Sequence, residues 1–302
     1  MKKLSLYFKK LFIWAATGMF VVAVSCSENE VVLRQEADDV AEDALTDLFM
    51  EDADDLAGLA MLSDDGPNTG GRGNGTPRTI IINDLRCNCP SFSATITIDP
   101  ESTPSVPRGQ IVLDFGDGCT GPMGNVRKGK IIITFAGRRF MPGSTIIATF
   151  DGYSINDIAL EGVRTLTNVS SSTQSAPEFE VELENGKATW PDGSLTTREH
   201  CFVRKWVREF NPVNDRLEIR QCADVPYAAS GTNRRGRAYT MKILETLVYK
   251  RGCPIAVSGI KEFTDVSSGK AITVDFGDGT CDRVITITAN GQSRSFEVNR
   301  KR

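Results

Sequence analysis

Glu178-Phe179-Glu180-Val181-Glu182-Leu183-Glu184 alternates strictly between carboxylate and apolar side chains, and Asn185-Gly186 follows it. Side chains on an extended strand point to opposite faces in turn, so Phe179, Val181 and Leu183 share one face and the glutamates the other. Asn-Gly supplies the two positive φ angles of a type I′ hairpin, and a turn is predicted there. Asn290-Gly291 repeats the signal between Val284–Thr288 and Ser293–Val298, while Pro191-Asp192-Gly193 and Asn211-Pro212 mark further turns. Lys130–Phe135, Thr145–Phe150, Leu160–Thr167, Thr196–Val207, Arg216–Arg220, Tyr239–Leu247 and Ile255–Phe263 read as strands in the same way. No helix-length crossover separates them, so the pairing is expected to be antiparallel. The whole reads as all-β, with about 12–15 strands in a large antiparallel sheet, a sandwich or a half-open barrel.

Two stretches of this β region match each other. Cys89-Pro90 leads through two strands to Asp114-Phe115-Gly116-Asp117-Gly118-Cys119, and Cys253-Pro254 leads to Asp275-Phe276-Gly277-Asp278-Gly279-Thr280-Cys281. The repeat spans 89–137 and 253–290. Residues before the first strand of a hairpin and after its second are neighbours, which pairs Cys89 with Cys119 and Cys253 with Cys281. Cys201 and Cys222 bracket the Asn211–Asp215 turn in the same manner. Three hairpin-closing disulfides fit an extracytoplasmic protein. Cys87 is then unpaired, or competes with Cys89 for Cys119. The Asp-Phe-Gly-Asp-Gly string reads as a tight turn whose aspartates cap exposed N–H groups. A sharper reading places calcium at Asp114 and Asp117, or at Asp275, Asp278 and Asp282, though neither copy shows a full oxygen-ligand set.

The net charge of −4 over 302 residues hides three unlike segments. Residues 1–25 carry four lysines and no acid; 26–65 carry fourteen Asp and Glu against one Arg; 66–302 carry a net +5. Lys2, Lys3, Lys9 and Lys10 precede a fourteen-residue apolar run, Leu11 to Val24. That suits a secretory signal and falls short of the roughly 20 residues of a spanning helix. The run ends Ala23-Val24-Ser25-Cys26, which resembles the lipobox of bacterial lipoproteins, with Cys26 the lipid-bearing N-terminus. Ser27-Glu28-Asn29-Glu30 behind it resembles a surface-export signal of lipoproteins in Bacteroidota. Glu36 to Leu62 carries one apolar stripe at helical spacing with acids on the other faces. Residues 26–65 are read as a lipidated acidic helical tether, whose acids suit a spacer and whose apolar stripe is expected, on balance, to pack against the main domain. Gly66 to Pro77 is rich in Gly and Pro, and 66–79 is read as a linker before a β domain at 80–302.

Catalytic constellations are scarce. A kinase is excluded because no Gly-rich loop with its lysine accompanies the DFG strings, and the single histidine, His200, stands in Glu-His-Cys. Ser267-Ser268-Gly269-Lys270 matches a serine–lysine pattern but falls in a predicted hairpin turn rather than on a helix. Zinc is not expected, because Cys87-x-Cys89 has the wrong spacing. Basic residues cluster instead, with Trp206 and Tyr239 among them: Arg198, Arg204, Lys205 and Arg208 on one segment, Arg234, Arg235 and Arg237 on another, and Lys250 with Arg251 on a third. Such a face suits a polyanion, against the plainer reading of a solvated face with cross-strand Glu–Arg pairs.

DFGDGCTGP (114–122) with GNVRKGKIIITF (124–135), SGTNRRGRAYTMKI (230–243) and DFGDGTCD (275–282) resemble a family of uncharacterised lipoproteins of Bacteroidota. The resemblance covers nearly the whole chain and implies location and β architecture; it implies no activity and no functional residues. Cys201 and Cys222 depart from that family's pattern. The expectation is an outer-membrane lipoprotein, exposed on the cell surface rather than on the periplasmic face. It binds a glycan, host or envelope component without catalysis or cofactor, and no nucleic acid is expected. A structural envelope lipoprotein without a soluble ligand is the alternative, and a carbohydrate-active enzyme ranks behind both. The oligomeric state is not legible.

Overall fold

A computed structural model describes residues 39–63 except 41 and 44, and residues 75–298 except 122, 123, 174, 212, 213 and 254. The signal sequence, Cys26 and most of the Gly/Pro linker lie outside the described residues. The chain divides into two compact units, Met1–Glu42 and Asp43–Arg302. In the first, only Asp39, Val40 and Glu42 are described, all helical. The second holds everything discussed below.

Its first element is helix α1, residues 45–62, with Asp43 also helical. Sixteen strands follow in one antiparallel sheet: β1 Arg78–Thr79, β2 Ser93–Ile98, β3 Arg108–Asp114, β4 Cys119–Thr120, β5 Val126–Ala136, β6 Thr145–Ile155, β7 Ile158–Asn168 and β8 Glu178–Thr189. Then come β9 Leu195–Val207, β10 Arg216–Gln221, β11 Ala229–Thr232, β12 Ala238–Lys250, β13 Ser258–Asp265, β14 Ala271–Asp278, β15 Val284–Ala289 and β16 Gln292–Glu297. Along the sheet the order is β1-β2-β3-β5-β6-β7-β8-β9-β10-β12-β13-β14-β15-β16. The sheet begins two residues inside the expected linker, where Arg78 and Thr79 pair with Ile96 and Thr95.

The two cysteine repeats lie near opposite ends of this order, β2-β3-β5 and β13-β14-β15. Three disulfides join Cys89 to Cys119, Cys201 to Cys222 and Cys253 to Cys281, as the spacing predicts, and Cys87 is a buried free thiol. Strands β10 and β11 occupy one lane between β9 and β12. Arg216–Gln221 pairs with Phe202–Val207, and Ala229–Thr232 with Thr197–His200. The segment between them leaves the lane, and the Cys201–Cys222 disulfide closes its departure point.

The two Asn-Gly signals part company. Asn290 and Gly291, at φ 52° and 76°, make the expected two-residue hairpin between β15 and β16. Asn185, also at φ 52°, makes no hairpin; β8 runs straight through it to Thr189. The positive φ there serves a β-bulge, where the register with β9 jumps between Leu183 and Gly186. The reversal comes later, at the turn between Thr189 and Leu195. Asn156 and Asp157, at φ 53° and 62°, form a further two-residue turn between β6 and β7.

Helix α1 packs into the domain through its apolar stripe rather than standing off it as a spacer. Phe49, Met50, Ala53, Leu56, Ala57, Ala60 and Met61 are buried in the same core as Ile96, Ile111, Ile131, Ile133, Val181 and Leu183. Its acids reach far-apart strands: Asp52 pairs with Arg127 of β5, and Asp47 lies 3.9 Å from Lys261 of β13. Five helix residues advance only about 7–8 Å. In strand order β5 and β13 stand seven positions apart, roughly 30 Å or more on a flat sheet. The sheet therefore curls around α1 as a half-open barrel rather than splitting into a sandwich.

Candidate functional site: an arginine-lined face and its aromatic end

The concave face of the sheet carries arginines at positions that alternation assigns to the core. On β9, Arg198, His200, Phe202 and Arg204 share the inward face, across from Arg164 on β7. Arg164 donates through Nε and Nη2 to the two oxygens of Asp54 on α1, both at 2.7 Å, and each side chain is 1% exposed. Arg198 contacts Asp43 and donates to Asp47 at 3.0 Å, while Tyr239 donates its hydroxyl to Asp43 at 2.9 Å. Arg204 lies 3.2 Å from Glu51 and 3.5 Å from Asp54. Asp52 accepts from both Arg86 and Arg127 at 2.9 Å. A two-pronged guanidinium–carboxylate pair is among the stronger polar contacts, but removing either charge from water costs several kcal/mol. Such a network fixes where the helix sits more than it adds net stability.

Burial pushes the Glu51 carboxyl upward against the pull of Arg204, and neighbouring Asp47 adds to the rise. Burial likewise depresses His200 well below its ordinary value, and Arg164 and Arg198 reinforce the shift. Both ring nitrogens face guanidiniums, Arg164 Nη1 at 3.0 Å and Arg198 Nε at 3.2 Å. The neutral ring accepts at one nitrogen, Nδ1 from Arg198 Nε, and a second proton would set N–H groups against both cations, so the ring stays neutral.

The residues weighed for a polyanion face are dispersed by the fold. Arg204 turns inward, 13% exposed, and its charge is engaged by the helix. Lys205 points to the other side and pairs with Glu178 at 3.2 Å. Arg234 donates to Asp192 at 2.5 Å and to Ser194 at 2.9 Å, and lies 4.3 Å from the Trp190 ring centroid. Arg235 and Arg237 occupy the β11–β12 turn, where Asn233 accepts from both backbone N–H groups at 3.0 Å. Because β11 pairs with the start of β9 and Trp206 lies near its end, the two clusters are roughly 30 Å apart. They do not form one site.

The aspartates weighed for calcium serve their own turns. Asp114 and Asp275 accept from the N–H of Gly116 and Gly277, Asp278 from Thr280, and Asp282 from Val284. Asp117 makes no convergent group with them: among the described residues the one trio of metal-type side chains is Glu180 with Cys201 and Cys222. Those sulfurs are joined to each other, so no thiolate is offered.

At the end of β9 the face changes character. Trp206 is 40% exposed, and the Arg208 guanidinium lies 4.7 Å from its ring centroid and 6.0 Å from that of Phe140. Arg139 lies 5.5 Å from the Phe140 centroid and 5.9 Å from that of Phe179. Phe140 meets Phe179 edge-on at 6.2 Å. Arg139, Phe140, Arg127 and Arg164 were not singled out in the sequence. The two strand arginines had a signal, a cation at core parity: Arg164 with Leu160 and Leu166, Arg127 with Ile131 and Ile133. Arg139 and Phe140 sit in the β5–β6 connection, where alternation is silent.

No protein-family model matches the chain, and no curated protein or solved structure is significantly similar to it. No helix among the described residues is long and apolar enough to cross a membrane.

Proposed function

We propose that the protein is a lipid-anchored outer-membrane component, displayed at the cell surface, that binds a glycan or another envelope polymer without catalysing a reaction. The observation that carries the reading is the pairing of cations with accessible aromatic rings outside the core. Arg208 covers the half-exposed Trp206, and Lys242 lies 5.6 Å from the ring of Tyr227, itself 41% exposed. Aromatic faces beside cations suit ligands that combine C–H surfaces with negative or polar groups. The lipobox-like Ala23-Val24-Ser25-Cys26 and the acidic run behind it support the anchor and the surface location.

Two experiments test the reading. Metabolic labelling with a fatty acid should mark the protein, and Cys26→Ser should abolish the label. The purified chain should bind at least one member of a panel of immobilised acidic glycans, neutral glycans and envelope polymers. Binding to none would leave a structural envelope role.

A further inference from the structure

Among the described residues, every arginine that faces α1 from the sheet or its flanks, except one, is in ion-pair contact with a carboxylate of the helix. Arg86, Arg127, Arg164, Arg198 and Arg204 all pair with Asp43, Asp47, Glu51, Asp52 or Asp54. The exception is Arg139, which lies against the C-terminal part of the helix. A Cβ built on Gly58 would fall 1.5 Å from its Nη1, so glycine at 58 makes the space the guanidinium occupies. Among the described residues its guanidinium makes no ion pair or hydrogen bond and its buried Nε has no partner; Asp55 and Asp54 act on it only from beyond ion-pair distance. Arg208, whose guanidinium also approaches the Phe140 ring, makes no ion pair among the described residues either. The nearby carboxylate of Glu209 is held by Arg216 at 2.5 Å.

We infer that the Arg139–Phe140–Arg208 cluster, with Trp206 beside it, is a binding site for the carboxylate of an acidic sugar in a polysaccharide. The inference rests on the binding role proposed above and places it. A guanidinium without an ion-pair contact gains from one, and an incoming carboxylate offers it to Arg139. Two like charges approach the same aromatic ring, and an anion that reaches both relieves their repulsion. The two guanidinium carbons lie 5.5 and 6.0 Å from the same ring centroid, a reach that suits one ligand residue rather than a run of phosphates. Trp206, 40% exposed, offers a ring for the C–H face of the same sugar, and Phe210 beyond it is fully exposed.

Polygalacturonate is the probe, with neutral galactan and a single-stranded DNA oligomer alongside, titrated calorimetrically into the detergent-purified full chain. The chain should bind polygalacturonate and ignore galactan. Arg139→Gln/Arg208→Gln should weaken binding by about tenfold or more. Arg208 is exposed, so Arg208→Gln alone tests the site without risk to folding, and a several-fold loss is expected. Gly58→Ala should push the Arg139 guanidinium aside and also weaken binding, with the urea midpoint held or raised. Arg234→Gln/Arg235→Gln, in the remote β11–β12 turn, should leave affinity unchanged. Undiminished affinity in the Arg139/Arg208 variants would overturn the site while leaving the binding role intact. Equal affinity for DNA would overturn the sugar specificity. No binding of polygalacturonate by the unaltered chain would overturn the inference, and the wider panel would then judge the binding role separately.

Discussion

The pair most exposed to a decisive test is Asp54 with Arg164. Both side chains are 1% exposed, and both guanidinium–carboxylate bonds measure 2.7 Å. Replacing Arg164 by Met leaves Asp54 buried with only Arg204, at 3.5 Å and already shared with Glu51. Breaking one side of such a pair costs about 3–5 kcal/mol, because the surviving charge has lost its compensation. A domain holds roughly 5–15 kcal/mol in all, so the variant should fold but with much of its margin gone. Asp54→Leu should cost a similar amount, since it strands Arg164 beside His200. The double variant Asp54→Leu/Arg164→Met removes both charges, and it should recover to within about 1–2 kcal/mol of the original. Urea is the denaturant of choice, because guanidinium chloride would screen the charges under test. Midpoints should shift with the slope unchanged, as expected if the exposed area on unfolding is the same. A loss below about 1 kcal/mol in Arg164→Met would refute the claim that this pair seats the helix on the sheet.

Three further outcomes follow from the same geometry. His200 is depressed when folded, so the unfolded chain binds the extra proton as pH falls below the ordinary histidine value of about 6.5; stability should be full above that pH and decline below it, by up to about 1.4 kcal/mol per pH unit. His200→Gln keeps a neutral acceptor and should flatten the urea-midpoint profile between about pH 6.5 and 5 by one proton's worth. The Cys201–Cys222 disulfide closes a loop of sequence separation 21, and Cys201→Ala/Cys222→Ala should cost about 3 kcal/mol in non-reducing urea titrations. Non-reducing peptide mapping should find Cys87 alkylated only after denaturation, since the thiol is buried and pushed up to about 11.

Much of this architecture was legible before any coordinates. Alternation set the strands, cysteine spacing set all three disulfides, and Asn290-Gly291 turned where it should. Asn185-Gly186 misled because the same positive φ serves a bulge as well as a turn, and only the partner strands decide which. The acidic helix misled for a related reason. Asp43, Asp47 and Glu51 recur every four residues, and such a stripe reads as a solvated face when the helix is taken alone. Arg127, Arg164 and Arg198 stand at inward positions of their strands. Each anomaly is explained by the other, but matching them needs the curl of the sheet.

What the sequence by itself determined, then, is local: strand periodicity, turn chemistry, and the cysteines that neighbour one another across a hairpin. These depend on residues whose separation along the chain fixes their separation in space. The tertiary structure alone decided that Asp43, Asp47, Glu51, Asp52 and Asp54 lie against arginines contributed by strands far apart in order, and that Arg139 makes no ion-pair contact among the described residues. A buried charge is tolerated only where its counter-charge arrives, and here each arrives from more than thirty residues away along the chain.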